Sequence, residues 1–338
     1  MAVVASPYPV FHSLNLLRGL AALAVVLFHA SPIFGRQMAP SGYLAVDLFF
    51  ILSGFVIAHV YDPRFAAGLT ARSFILARMA RFWPLFALGT VIGAGWTLLE
   101  NVVSPPAAFS ISETLGIGAL GLLYIPRITG GDLFPLNVPA WSLFFELTVN
   151  AAFAIFFAAS RTRWLLGVIA VAGAVVACLA IADRFDAQPW GGGRACFGFA
   201  LGVFLYRAGW AAPNVPGWIP LAIVCATFAL PSHPAIELAC VAVIYPASIL
   251  LLRQAPPTSA SPLFDRIGVL SFPLYALHYP ILQAFLGVHD YLPAPAWVTG
   301  LFAITVCVAA AWLGEHLVDR PMRDLIRSRV NRVGQTRA

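Results

Sequence analysis

The chain has 338 residues, of which 60% are hydrophobic and only 10% are charged. Because soluble domains carry roughly 25% charged residues, this composition excludes an ordinary soluble domain and predicts a polytopic membrane protein. All 20 basic residues are arginines that fall between apolar segments rather than on one soluble face. The net charge of +6 therefore does not indicate nucleic-acid binding, and the arginines are typical of topology determinants.

Ten apolar segments predict an all-α membrane protein of about ten transmembrane helices. They cover residues 14–34, 43–61, 82–99, 140–159, 164–182, 192–207, 216–231, 235–252, 267–287 and 297–318. With both termini in the cytoplasm, fifteen arginines fall inside and three outside, as the positive-inside rule requires. A further apolar piece, 111–125, would invert this pattern if it crossed the membrane, so we predict a re-entrant or surface helix there.

The longest predicted outer connection is 101–139, which is rich in proline, glycine and serine. We expect this connection to cover a site on the outer side of the membrane. At the other end of the chain, the residues after Pro321 are basic and weakly amphipathic. We therefore predict a membrane domain at 1–319 and a cytoplasmic tail at 320–338 that lies along the anionic inner leaflet.

The first predicted span contains two ionisable residues, Arg18 and His29, which are eleven positions apart. This spacing places both side chains on one helical face, about 16 Å apart along the axis. Because an ionisable group inside a membrane span is costly, each is by default a functional-site candidate. The alternative is that Arg18 extends to the inner interface and His29 lies at the outer one.

Polar side chains in the next two spans should also converge on the protein interior, because lipid-facing positions exclude them. Asp47 lies near the outer end of the second span and could pair with an arginine or histidine, or cap the helix. Ser53 lies deeper in the same span. Arg78 and Arg81 are neighbours on one helical face at the predicted cytoplasmic mouth, where they could bind phosphate groups or anchor the topology.

Two later spans carry further candidates. Glu146 lies more than a turn inside the fourth span, four residues after Ser142, and no nearby residue can pair with it. Its partner must come from another span, and we predict a catalytic or orienting role. Tyr275 and His278 share one face of the ninth span, whose two prolines free backbone carbonyls. The predicted substrate pocket comprises Ser53, Trp141, Ser142, Arg194, Tyr275 and His278.

The five cysteines all lie in apolar segments, and none forms a CxxC pair. This pattern indicates neither a zinc site nor a disulfide framework. We expect the cysteines to be small buried side chains, and we predict no metal cofactor.

Taken in order, these stretches resemble the acyltransferase 3 family of bacterial membrane proteins, which O-acylate envelope glycans and other extracytoplasmic acceptors. The resemblance is carried by Arg18 and His29, the run from Asp47 to Phe55, Arg78, Arg81 and Pro84, Trp141-Ser142 with Glu146, the stretch 271–280, and Glu315 with Asp319-Arg320-Pro321. One departure is Phe272-Pro273, where the family pattern has a Ser-Tyr type pair. Because no hydrolase-like domain follows the spans, a stand-alone member is expected.

The resemblance implies that cytoplasmic acyl-CoA, with acetyl as the default acyl group, acylates a carbohydrate or lipid-linked acceptor outside the bacterial inner membrane. CoA phosphates would bind near Arg78, Arg81 and Arg18. His29 would act as general base on the acceptor hydroxyl, and Glu146 or Asp47 would orient its imidazole. A covalent acyl-histidine intermediate is the competing mechanism.

A secondary transporter or flippase of a glycan or small polar molecule is the alternative function. Polar groups inside spans and a broken helix suit that class as well. A transporter would usually show a structural repeat between its halves, however, and the pattern of Arg18 and His29 has no echo in the second half of the chain.

Overall fold

The computed structural model describes residues 10–325 except 104, 106, 158–161, 186–187 and 292. Within these residues the secondary structure is helical and contains no strand, which confirms the predicted all-α class. The helices are α1 (His12–Phe34), α2 (Ala45–Ala66), α3 (Ala71–Val103), α4 (Ile111–Leu122), α5 (Ala140–Ala152), α6 (Thr162–Ile181), α7 (Gly191–Ala208), α8 (Trp218–Ala229), α9 (Pro234–Ala239), α10 (Tyr245–Leu252), α11 (Ser261–Val288) and α12 (Ala296–Gly314). π-Helical turns follow α5, α9 and α12 at Phe153–Phe157, Cys240–Ile244 and Glu315–Asp319.

Seven segments in the described part of the chain are long and apolar enough to cross a membrane. They are His12–Phe34, Gly42–Ala66, Ala71–Val103, Arg163–Ile181, Pro234–Leu252, Ser261–Val288 and Ala296–Leu325. Three shorter apolar helices are Ile111–Leu122, Ala140–Phe156 and Trp218–Ala229. The polytopic membrane class is thus confirmed, while the ten-span topology with cytoplasmic termini stays a prediction. The helical path continues to Leu325, past the predicted boundary at 319, and residues 326–338 of the predicted tail lie outside the described residues.

Helices α2 and α7 pack with their backbones almost in contact. A Cβ atom at Gly54 would lie 2.0 Å from the carbonyl oxygen of Phe199, and one at Gly202 would lie 2.0 Å from that of Ile51. Only glycine, which lacks a side chain, permits this approach of two helices within a membrane. The pair α2–α7 therefore forms a fixed wall on one side of the bundle.

Helices α1 and α11 form the other closely packed pair, and they run parallel. His12 Nδ1 lies 2.9 Å from Asp265 Oδ1 near the start of both helices. Further along, His29 Nδ1 lies 3.2 Å from Nε2 of His278. A residue on α1 and the residue beside it on α11 therefore lie at the same depth in the bundle.

Helix α3 begins at Ala71, well before the predicted span boundary at residue 82, so Arg78 and Arg81 lie inside the helix. The boundary prediction stopped at the arginines because it followed hydropathy. Both side chains are instead directed into the bundle, where carboxylates accept hydrogen bonds from them. A helix can continue through such arginines when their charges are paired inside the protein.

The segment after α3 returns into the bundle. Trp83 Nε1, in the first half of α3, donates to the carbonyl oxygen of Leu122 at the end of α4 at 2.8 Å. Further on, Asn137 Nδ2 donates to the carbonyl oxygen of Ala276 in α11 at 2.9 Å. Helix α5 then starts at Ala140, inside the bundle. Of the two predicted alternatives for 111–125, this path fits a re-entrant segment better than a surface helix.

Candidate active site

A cavity of about 190 Å³ lies between α1, α2, α3, α5 and α11. On α2 its lining extends from Val46 to Ile57, which corresponds to about 16 Å of helix. One end, which we name the charged end, is lined by Arg18, Arg78, Arg81 and Glu146. The other, which we name the aromatic end, is lined by Phe49, Ser142 and Tyr275.

Two of the three arginines at the charged end are paired with carboxylates. Arg78 Nη2 lies 3.3 Å from Glu146 Oε1, which also accepts a hydrogen bond from Ser53 Oγ at 2.8 Å. Arg81 donates to Asp319, a completely buried carboxylate in the π-helical turn after α12. These contacts join α3 to α5 and to the end of α12, and they compensate the charges of Arg78 and Arg81.

Arg18 differs from the other two arginines. It lines the cavity, and no hydrogen bond or ion pair joins it to any residue within the described part of the chain. It lies close enough to Glu146 and Arg78 to interact electrostatically with both. With the other two arginines paired, the charged end keeps about one uncompensated positive charge, which favours binding of an anion.

The aromatic end is closed by a hydroxyl pair from two helices. Tyr275 Oη on α11 lies 2.6 Å from Ser142 Oγ on α5, and both side chains are buried. The ring of Phe49 packs edge-on against that of Tyr275, with 5.7 Å between centroids. This end of the cavity therefore offers neutral hydrogen-bonding groups and aromatic surface, in contrast to the arginines at the other end.

Two histidines lie just beyond the aromatic end. His278 Nδ1 lies 2.8 Å from the carbonyl oxygen of Tyr275 and 3.2 Å from that of Leu274. Because both neighbours are acceptors, Nδ1 carries the hydrogen and Nε2 of the neutral ring is an acceptor. The centroid of the His278 ring is 5.8 Å from that of Tyr275.

The same reasoning fixes the tautomer of His29. Its Nδ1 lies 3.0 Å from the carbonyl oxygen of Val25 and 3.2 Å from Nε2 of His278, so it also faces two acceptors. The hydrogen therefore resides on Nδ1, and the lone pair of His29 is on Nε2. This is the arrangement that a general base requires, and the structure provides it through a neighbouring histidine and a backbone carbonyl.

The carboxylates predicted to orient His29 have other partners in the structure. Asp47 accepts hydrogen bonds from Arg194 Nε at 3.0 Å and Nη2 at 2.5 Å, and both residues are buried. Glu146 binds Ser53 and Arg78 at the charged end. The structure thus brings His29 and His278 together, and it separates both carboxylates from the imidazole.

The six residues predicted for the substrate pocket fall into three places. Ser53, Ser142 and Tyr275 line the cavity. Trp141 and Arg194 pack together behind it, with the guanidinium carbon 5.4 Å from the indole centroid. His278 lies beyond the aromatic end. The three arginines predicted to bind the donor, Arg18, Arg78 and Arg81, all line the charged end.

Sequence reasoning missed Tyr124, which belongs to the re-entrant segment and has an unusual φ of 63°. Its hydroxyl is buried and has no hydrogen-bond partner among the described residues. Burial, followed by the charge of Glu146, raises the pKa of Tyr124 well above its usual value, so the hydroxyl keeps its proton. The apolar residues around Tyr124 in the sequence did not mark it as a candidate, because its contacts form only where the chain returns into the bundle.

A model of the acyltransferase domain matches residues 11–314, nearly the whole described chain. The chain belongs to the acyltransferase 3 family. This acyltransferase is 40% identical over 190 residues to Protein 2 in picA locus of Rhizobium radiobacter, a match that covers 53% of the chain and 98% of that protein. No group of three or more metal-ligand side chains occurs in the described ranges of the acyltransferase.

Two further relatives of the acyltransferase have more informative names. The exopolysaccharide production protein ExoZ of Rhizobium meliloti (strain 1021) is 31% identical over 164 residues, which cover 45% of the chain and 47% of ExoZ. YrhL of Bacillus subtilis (strain 168), whose name describes a peptidoglycan O-acetyltransferase, is 23% identical across 91% of the chain and 54% of YrhL. The matches thus cover about half the length of these two relatives. No solved structure matches the chain.

Proposed function

We propose that this membrane acyltransferase moves an acyl group, acetyl by default, from cytoplasmic acyl-CoA to a hydroxyl of an extracytoplasmic carbohydrate. The observation that carries the proposal is the uncompensated guanidinium of Arg18 inside a cavity whose other end, at Tyr275, lies beside His278, the residue that contacts the proposed base His29. An uncompensated buried cation needs an anionic ligand, and the phosphates of CoA supply one.

The gradient of polarity along the cavity supports one orientation of the donor. Arg18, with help from Arg78 and Arg81, would bind phosphate oxygens at the charged end. The apolar walls contributed by α2 suit the uncharged arm of the donor. The thioester would then lie at the aromatic end beside Tyr275, between the arginines and His29, which is predicted to lie about 16 Å from Arg18 along α1.

His29 would act from the outer side of this end. Its Nε2 lone pair would take the proton of an acceptor hydroxyl as the hydroxyl oxygen attacks the thioester carbon. The Nδ1–H of His29 remains bonded to Val25 and His278, which hold the ring as the charge develops. In this role His278 replaces the carboxylate that the sequence predicted as the orienting group.

The acceptor class is supported by the names of two relatives. ExoZ is described as an exopolysaccharide production protein, and YrhL by name acts on peptidoglycan. Both names refer to carbohydrate polymers outside the cytoplasm. An enzyme that joins a cytoplasmic donor to such an acceptor must span the inner membrane, as the predicted ten-span topology with cytoplasmic termini would.

Mass spectrometry of base-labile acyl groups on envelope and secreted glycans tests the proposal. Cells with the wild-type protein would be compared with cells carrying His29→Ala at equal membrane abundance. His316→Ala, which removes an exposed histidine just after α12, is the matched control. We expect an acyl group that is present with wild type and His316→Ala and is lost with His29→Ala. Identical acyl profiles in all three strains, together with no CoA binding by the purified protein, would support the transporter alternative.

A further inference from the structure

Three donors converge on a single backbone carbonyl at the aromatic end of the cavity. The carbonyl oxygen of Pro139 lies 3.0 Å from Ser142 Oγ and 3.1 Å from Tyr275 Oη. The backbone N–H of Ser142 also points to it, at 3.2 Å. A carbonyl oxygen has two lone pairs, so this group has more donors than it can fully engage.

The surplus of donors around the Pro139 carbonyl leaves a hydroxyl hydrogen available for a ligand. The two hydroxyl oxygens lie 2.6 Å apart, so either hydroxyl can donate to the other or to Pro139. One hydroxyl hydrogen is enough to satisfy Pro139 alongside the backbone N–H. The second hydroxyl hydrogen can therefore turn toward a ligand without leaving a buried acceptor unsatisfied.

The hydroxyl pair of Tyr275 and Ser142 lies on the cavity wall, close to the two histidines. Both side chains line the cavity, at the end opposite Arg18. Tyr275 also packs 5.8 Å from His278, which holds the proposed base. A carbonyl group at this end of the cavity would thus have neutral O–H donors beside it and the base just beyond.

We infer that the hydroxyls of Tyr275 and Ser142 form the oxyanion hole of the transfer reaction, an inference that rests on the proposed function. As the acceptor oxygen bonds to the thioester carbon, its proton passes to Nε2 of His29 and the C=O π electrons move to the carbonyl oxygen. One of the two hydroxyls donates a hydrogen bond to that oxyanion, and the other keeps its hydrogen bond to Pro139 and holds the first in place. When the carbonyl re-forms, the C–S bond breaks and His29 returns the proton to the sulfur of CoA.

Kinetics of three purified variants in liposomes test this role. The assay follows CoA release from acetyl-CoA, with envelope glycan that mild base has de-acylated as the acceptor. We expect Tyr275→Phe and Ser142→Ala each to lower kcat by about 10²–10³, as removal of an oxyanion donor does elsewhere. The KM for acetyl-CoA should stay within about threefold of wild type, because neither hydroxyl is at the charged end. Ser142→Thr, which keeps a hydroxyl, should retain most of the activity.

Tyr245→Phe is the matched control. Tyr245 is completely buried and its hydroxyl lies 3.2 Å from Thr227 Oγ1, yet it does not line the cavity. It should keep wild-type kcat. The inference is overturned if Tyr275→Phe and Ser142→Ala retain kcat, or if only their KM changes. It is also overturned if the variants mainly raise CoA release without acceptor, since the role of the pair would then be to exclude water from the thioester. Absence of any transfer by wild-type protein would overturn the proposed function itself.

Discussion

Two arginine–carboxylate pairs inside the bundle join neighbouring helices, and they differ in how far protein encloses them. Asp47 and Arg194 make two hydrogen bonds, and their side chains are at most 1% exposed. Glu146 and Arg78 share one contact of 3.3 Å at the cavity wall, where their side chains are 15% and 17% exposed. The first pair is enclosed by protein and the second faces a space that a ligand can enter.

This difference in enclosure distinguishes Asp47 from Glu146, two carboxylates that look alike in the sequence. In the enclosed pair both carboxylate oxygens are engaged by one guanidinium, so neither partner can bind a ligand without breaking the other's compensation. In the open pair, a phosphate can exchange with the carboxylate as the partner of Arg78. We therefore expect the first pair to determine stability and the second to determine donor affinity.

The largest effect should follow from breaking the enclosed pair. Arg194→Leu leaves the Asp47 carboxylate buried without a cation, which typically costs about 3–5 kcal/mol. We expect a large fall in the thermal unfolding midpoint of detergent-purified protein and a loss of folded protein in membranes. The double variant Asp47→Asn with Arg194→Leu removes both charges and should recover much of this stability. An unchanged midpoint for Arg194→Leu would show that the pair does not stabilise the fold.

Arg18 provides the next largest effect, and it acts on binding instead of stability. Arg18→Gln removes the uncompensated charge of the cavity while leaving a polar side chain. Hydrogen bonds to charged groups contribute about 1.5–3 kcal/mol, so we expect CoA to bind about 10–100-fold more weakly. Calorimetric titration with CoA would measure the change, with the thermal midpoint as a check of folding.

Arg163→Gln is the matched control for this experiment. Arg163 is exposed at the start of α6, so it carries the same charge without facing the cavity. Its removal should leave CoA affinity unchanged. Equal affinity of wild type and Arg18→Gln would remove Arg18 from the donor site and, with it, the main support for the proposed donor.

The sequence predicted the features that depend on interactions within one segment, and it did not predict those that depend on contacts between distant segments. Helical spacing and hydropathy along single segments correctly predicted the polytopic all-α class. Pairing between helices could not be predicted in this way, because spacing determines the face on which a residue lies but not which helix packs against that face. Asp47 and Arg194 are 147 positions apart, and His29 and His278 are 249 apart. The sequence therefore supplied the candidates, and the packing of glycine-lined helices decided their partners.

Glu146→Gln should produce a smaller effect of opposite sign to that of Arg18→Gln. Loss of the carboxylate frees Arg78 and makes the charged end more positive. We expect CoA to bind about tenfold more tightly, which corresponds to about 1.4 kcal/mol, with little change in turnover. If turnover instead fell by about two orders of magnitude at unchanged CoA affinity, the loss would match removal of a group that assists the base. That result would contradict our expectation and favour the orienting role that the sequence suggested for Glu146.

The smallest effect should come from a pair at the rim of the bundle. His12 Nδ1 lies 2.9 Å from Asp265, but the two side chains are 25% and 37% exposed, and Asn15 also donates to the same carboxylate. Because water and Asn15 can compensate Asp265, we expect His12→Ala to cost less than about 1 kcal/mol. Measured beside Arg194→Leu in the same detergent, it tests whether enclosure sets the cost of breaking a pair. Equal losses for the two variants would show that it does not, since the hydrogen-bond distances in the two pairs are similar and their burial is not.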